Sequence, residues 1–390
     1  MQESSGTIRL GTALWRGLFL ANSWTWCIGM WLPVYLVIDF GWPGWVAFLV
    51  PNVVGAAAMG VLLRRRGASE VLVERHGRAM RAFSVFTVMF HIAFLAWLVP
   101  TVLGRGPQRE PLFIGGAAVV LLLGAALSRC GTRGWAALSV IVFLVGVASA
   151  VAAGLTGPAL QWPPEQGTQP PMGLVYLLPV VLFGFGLCPY LDLTFHRTRR
   201  EAPGATGTAA FVLGFGVFFT ALMVFSLLYA GGLARYRWFN YYVLAHIGAQ
   251  SAFTVGAHLR EVFGRLDCRR ILKSPAEVAR VLAIVLSLGG GVVAFLPEYE
   301  PGISAMRVAY MLFLGAYATV FPAYVWTVMI ERGLPRRMCV IAWLVSCAVA
   351  APMLWAAFVE RRWVWLVPAV GAMLVAPLIP RLALRAASRL

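Results

Sequence analysis

The sequence predicts an all-α polytopic membrane protein with twelve transmembrane helices, and three observations predict it. Hydrophobic residues make up 60% of the 390 and charged residues only 12%, with a mean hydropathy of +0.79. A soluble domain carries about a quarter charged residues, so this chain has too few polar side chains to cover a water-facing surface. The apolar residues gather into twelve runs near the ~20 residues needed to cross the hydrocarbon core. When the runs are threaded alternately through a bilayer, 25 of the 32 Lys and Arg fall on one side and 7 on the other.

The runs cover roughly 12–38, 43–63, 82–103, 111–128, 135–155, 173–195, 207–233, 239–259, 279–296, 306–330, 338–359 and 363–380. The first follows a polar start, MQESSGTIR, and is too long for a signal-peptide core, so it reads as a retained helix. Basic residues favour the cytoplasmic side, which places both termini in the cytoplasm of a bacterial-type inner (plasma) membrane. The loop 156–172 holds five prolines and no cation, as a stiff outer connector would. The basic loop 260–278 alternates apolar and charged residues and reads as a short amphipathic helix on the inner surface. Its clusters are short and separated by apolar runs, so the net charge of +17 does not describe a nucleic-acid binder. The six cysteines (Cys27, Cys130, Cys188, Cys268, Cys339 and Cys347) follow no metal or redox spacing and read as small apolar residues.

Runs one and six share a feature. The first reads ANSWTWCIGMWLPVYLVIDFG, with Gly29 and Pro33 near its middle. The sixth reads LLPVVLFGFGLCPYLDLTFHR, with Gly184, Gly186 and Pro189. Proline removes a backbone donor and glycine eases departure from helical geometry. Non-helical backbone survives at membrane depth only where protein or a wet cavity satisfies it. Breaks are expected at Cys27–Pro33 and Gly184–Asp192. Run six also opens a second set of five whose orientation opposes the first. The chain then divides into a repeat over 1–155, the outer loop 156–172, an inverted repeat over 173–330, and two added helices with a basic tail over 331–390. Paired broken helices in inverted halves mark a binding site at the bilayer midplane.

Twelve spans with breaks in the first and sixth resemble the LeuT-type fold of the amino acid–polyamine–cation superfamily. The stretch Asn22–Gly60 (NSWTWCIGMWLP … DFGWPGWVAFLVPNVVGAAAMG) is similar to the first core helices of sodium:solute symporters. The resemblance implies a Na⁺ site between carbonyls near Trp26 and Gly29 and hydroxyls on the eighth span. Ser251 and Thr254 match those hydroxyls, although the adjacent Ser/Thr pair of that family is absent.

Several residues carry competing readings. Asp192 is the acid placed within the hydrocarbon, where a carboxylate costs about 2.5–3.5 kcal/mol on insertion scales. It reads either as a cation, proton or gate group, or as a residue near the cytoplasmic end that pairs with Arg197 or caps the second half-helix. His246 reads as a proton carrier or as a neutral buried imidazole, and His91 shares that ambiguity. His76, His196 and His258 fall at cytoplasmic ends and read as solvated. Trp24, Trp26 and Trp31 crowd the first break, Phe185 and Tyr190 the second, and Tyr317 and Tyr324 lie in span ten; they read as stacking surfaces for an organic solute or as packing. The substrate set is therefore Trp24, Trp26, Cys27, Gly29, Phe185, Gly186, Cys188, Tyr190 and Tyr317. The ion-coupling set is Trp26, Gly29, Asp192, His246, Ser251 and Thr254. Gly55, Gly60 and Gly289–Gly291 read as close helix contacts, and Asn52 as a polar contact to the first span.

GxSxG, HExxH and Walker A motifs are missing from the sequence, so no enzyme is expected. The expectation is an ion-coupled secondary transporter of a small organic solute such as an amino acid, amine or organic acid. Its coupling ion would be Na⁺ or H⁺, with no other cofactor. A major-facilitator transporter is the runner-up, but the run GVLLRRRG lacks that family's acid. A non-transporting sensor and a lipid-modifying membrane enzyme complete the alternatives.

Overall fold

The computed structural model describes residues 8–103, 110–236, 240–264, 274–290, 305–331 and 333–387. The amphipathic helix expected in loop 260–278 falls largely outside the described residues, as do Cys268 and Gly291. The described residues are helical, without strands.

Two short helices replace the first apolar run: α1 (Leu10–Trp24) and α2 (Cys27–Phe40). Four helices follow: α3 (Trp42–Leu62), α4 (Ala68–Leu103), α5 (Glu110–Leu127) and α6 (Thr132–Leu155). The sixth run is α7 (Pro171–Leu187), a 3₁₀ turn (Cys188–Leu191) and α8 (Leu193–Glu201). Next, α9 (Ala205–Leu213) continues through a π turn (Gly214–Phe219) into α10 (Thr220–Tyr236), and α11 spans Tyr241–Phe263. Then come α12 (Pro275–Gly290) and α13 (Ala305–Gly315), the latter prolonged by wider turns to Met329. The chain ends in α14 (Arg336–Phe358), α15 (Leu366–Val375) and α16 (Leu378–Ala387).

Among the described residues, seven helical segments are long and apolar enough to cross a membrane. The pair Trp363–Val375 and Leu378–Ala386, bent by 47°, makes an eighth. This is the profile of a polytopic membrane protein. Of the four runs that do not qualify, 279–296 ends beyond the described residues and 111–128 is a shorter apolar helix (Gly115–Leu127); the other two have physical causes. At 1.5 Å per residue, α1 and α2 each extend only about 20 Å, short of the ~30 Å core. The 23 residues of α11 would suffice, but His246, Gln250, Ser251, Thr254 and His258 dilute their apolarity; all five are buried against other helices.

The packing around the breaks is reciprocal. The helix α1 lies against α9, and α7 lies against α3. Both contacts are close because each uses glycine. A Cβ on Gly17 of α1 would stand 3.1 Å from the Ala210 carbonyl oxygen, and one on Gly55 of α3 would overlap the Phe185 carbonyl. Gly60 abuts the Phe211 ring in the same way. The loop 156–172 is folded down onto the helix ends rather than standing free. Gln161 N–H donates to the Leu228 carbonyl (3.0 Å), Trp42 N–H to Pro164 (2.9 Å) and Gln169 N–H to Asp39 (2.8 Å).

Candidate functional site

The first break falls at Thr25–Trp26, one turn before the expected Gly29 and eight residues before Pro33. Pro33 and Gly29 lie inside α2. Tyrosines from other helices bond carbonyls in the first turn of α2: Tyr229 donates to Met30, and Tyr310 to Cys27 (3.2 Å). The interruption itself is closed by local donors. Thr25 Oγ1 donates back to the Ala21 carbonyl (2.8 Å), and Trp26 Nε1 donates to Ser23. Trp24 Nε1 donates to Asn52 Oδ1 (2.5 Å), the polar contact anticipated for Asn52. The Cys27 N–H meets His91 Nε2 at 3.2 Å, while His91 Nδ1 faces the Thr87 carbonyl at 2.8 Å. That pair of contacts assigns the proton of His91 to Nδ1.

The second break occupies Cys188–Asp192, where Pro189 opens the 3₁₀ turn. Asp192 is extended and caps α8: its Oδ1 accepts the Thr194 N–H at 2.7 Å. An aspartate in that position stabilises a helix by about 1 kcal/mol relative to alanine. The capping alternative is therefore realised, but without Arg197, which pairs with Glu261 and Glu201 instead. Cys188 Sγ approaches the Tyr317 carbonyl at 3.0 Å.

The two breaks meet. Thr194 Oγ1 lies 3.3 Å from Ser23 Oγ. Trp26 sits at the centre of a ring cluster, with Trp24 at 4.9 Å, Tyr317 at 5.1 Å, and Phe83 and His258 each at 5.3 Å between centroids. Beside them Asp192 Oδ2 is fully buried without a hydrogen bond, 3.9 Å from His258 Nε2. Neither nitrogen of His258 has a hydrogen-bond partner. The expectation that His258, His196 and His76 are solvated is corrected: all three are buried. His196 bridges Ser69 Oγ (2.7 Å) and the Tyr190 carbonyl (2.9 Å), and His76 meets the Tyr324 hydroxyl at 3.2 Å. His76, His196 and His258 lie within α4, α8 and α11, each of which extends past its apolar run, so nearness to basic loops misplaces them.

The remaining site residues scatter around this centre. Phe185 and Tyr317 line a cavity between α2, α7 and α13, whose wall also includes Leu32, Tyr35, Asp39 and Leu177. It leaves about 20 Å³ for the centres of water-sized spheres, room for about one water. The cavity is apolar save for Tyr35, Tyr317 and the buried Asp39 at the C-terminal end of α2, a second buried acid besides Asp192. Gly29 turns instead toward Met223 of α10, and Gly186 faces open space. Tyr190 is half-buried.

On α11, Thr254 Oγ1 donates to the Asn22 carbonyl at the end of α1 (3.2 Å), and Gln250 Nε2 to Asn22 Oδ1 (3.1 Å). Ser251 Oγ is buried with no hydrogen bond. The Trp26 carbonyl accepts the Met30 N–H at 2.8 Å as the first bond of α2. Protein donors thus reach the carbonyls of Asn22, Ser23 and Trp26. His246 lies twelve residues before His258, about 18 Å along the helix, where its ring packs on Phe225; it does not join the centre. Asn22, Ser23, Thr194 and His258 are the residues the sequence reading missed. Gln250, Thr254 and His258 recur every four residues, one polar stripe on an otherwise apolar span, and that period was the available signal. No cluster of three or more His, Cys, Asp or Glu that would hold a metal occurs among the described residues. No known protein family matches the chain, and no characterised protein matches its sequence.

Proposed function

We propose that the chain is an ion-coupled secondary transporter of a small organic solute, built as a LeuT-type inverted repeat of twelve spans and working by alternating access. One observation carries the reading: two interrupted helices face each other at their breaks, and the second bears a buried, incompletely bonded acid. Polar groups at such depth are costly and are retained where they serve a pathway. The reciprocal contacts of α1 with α9 and of α7 with α3 support the inverted repeat, since span one then meets span seven as span six meets span two. The apolar cavity beside Phe185 and Tyr317 supports a solute with a hydrophobic portion, held above the breaks. Its small size corresponds to a closed conformation. No enzymatic step enters this reading.

The test is uptake by purified protein in liposomes, across a panel of amino acids, amines and organic acids, under separately imposed Na⁺ and H⁺ gradients. The proposal expects at least one solute to accumulate under one gradient. Uptake indifferent to both gradients across the panel would contradict it.

A further inference from the structure

We infer that Asp192 and His258 form a proton site in which one proton is shared by the pair. The inference deepens the reading above by naming the coupling ion, and its use in transport rests on that reading; the site itself rests on geometry.

Both side chains are 0% exposed. Asp192 Oδ1 is fixed by the cap of α8, which aims Oδ2 at α11. Oδ2 lacks a donor, and both imidazole nitrogens lack partners. The 3.9 Å between Oδ2 and Nε2 exceeds a hydrogen bond by about 1 Å, so a small side-chain shift closes it. Among the described residues, His258 is the ion-pair partner of Asp192.

The surrounding groups leave this pair as the exchangeable one. Glu261, also on α11, faces Asp192 but is bonded to Arg197 of α8. His91 of α4 faces His258, with both of its nitrogens engaged by Cys27 N–H and Thr87. From the break itself Cys188 faces Asp192, and Tyr317 does so from the turns that prolong α13. His196 on α8 is held by Ser69 and Tyr190.

With one proton the pair is net neutral, and away from water the uncharged form, a carboxylic acid beside a neutral imidazole, is favoured over carboxylate and imidazolium. With none, a bare carboxylate is buried, and an isolated charge away from water is strongly disfavoured. The closed conformation therefore holds the proton more tightly than any conformation that admits water to Asp192. A group whose proton affinity changes with closure links proton binding to the conformational equilibrium. No bond other than O–H or N–H forms or breaks; the proton enters from one aqueous side and leaves to the other.

Infrared difference spectroscopy tests the site without a known solute. Protein in lipid bilayers is stepped between about pH 5 and about pH 8, the range of imidazole titration, and then between NaCl and choline chloride at fixed pH. The wild type should gain one carboxylic-acid C=O band on acidification. The band should vanish in Asp192→Asn, and its midpoint should move by about one pH unit or more in His258→Gln. The sequence has three aspartates, Asp39, Asp192 and Asp267, so ¹³C-aspartate labelling of a chain carrying Asp39→Asn and Asp267→Asn assigns the band to Asp192 even if the Asp192 variant fails to fold. An identical band in Asp192→Asn, an unmoved midpoint in His258→Gln, or an aspartate signal that follows Na⁺ rather than pH would each overturn the inference. Failure of the uptake assay with this band intact removes the transport reading alone. Uptake on a Na⁺ gradient with the band missing removes this inference alone.

Discussion

The two breaks solve the same covalent problem with opposite electrostatics. At the first, the loose ends of α1 and α2 are tied by uncharged groups: Thr25, Trp26, Thr254, Tyr229 and Tyr310 all bond backbone carbonyls, Trp24 bonds Asn52, and the His91 imidazole, both of its nitrogens engaged, accepts the Cys27 N–H. At the second, the start of α8 is capped by an ionisable group with one oxygen left over. A saturated break is a structural joint. An unsaturated one keeps a buried affinity for something else, and the proposed function places its ion step on the Asp192 side.

The largest expected effect tests the reciprocal packing on which the comparison stands. Gly55→Leu and Gly17→Leu each drive a side chain into backbone that cannot rotate away. Each should cost about 3 kcal/mol or more, at or beyond the usual range for overpacking, and abolish monodisperse protein on size-exclusion chromatography. Gly11→Leu, with open space around it, should behave as wild type. Tolerance of leucine at Gly55 would break the packing account.

The next three changes should separate the breaks. Trp24→Phe leaves the buried Asn52 Oδ1 without its donor and should cost about 1–3 kcal/mol of unfolding free energy in mixed micelles. Thr25→Val removes one bond to a carbonyl and should cost about 0.5–1.5 kcal/mol. Asp192→Asn should cost nothing measurable or raise the melting temperature, because asparagine caps a helix as well as aspartate does and carries no charge. A destabilisation by Asp192→Asn as large as that of Trp24→Phe would show that the second break is also a joint. The smallest effect belongs to the half-exposed pair Arg381–Glu331 (2.6 Å); Arg381→Gln should stay within about 0.5 kcal/mol, as thermal unfolding would report.

Much of this was legible in the residues, and the failures have physical causes. Among the described residues, apolar length locates a helix in each run, and Pro189 marks the second break because a buried 3₁₀ turn accommodates its missing N–H. Pro33 misleads, since α2 passes through it with only the bond to the Gly29 carbonyl removed. The true interruption at Thr25–Trp26 carries no proline or glycine; it depends on Thr25, Trp26 and Ser23 bonding locally, a competition that an isolated span does not reveal. His258 was read as solvated from its place near a basic loop, whereas its four-residue spacing from Thr254 and Gln250 put it on the inward stripe. Ser251 and Thr254 were tied to Gly29 by resemblance, yet Gly29 turns toward α10, and Thr254 meets the end of α1.

The native Cys188 offers the most direct test of the claim that these breaks border a path opened alternately to each side. In a chain whose other five cysteines are alanine, Cys188 should react with a charged thiol reagent. Its reactivity from one side should rise, and from the other fall, when a transported solute is added to sealed vesicles. A Cys188 that stays inert from both sides in folded protein, with and without solute, would contradict the account.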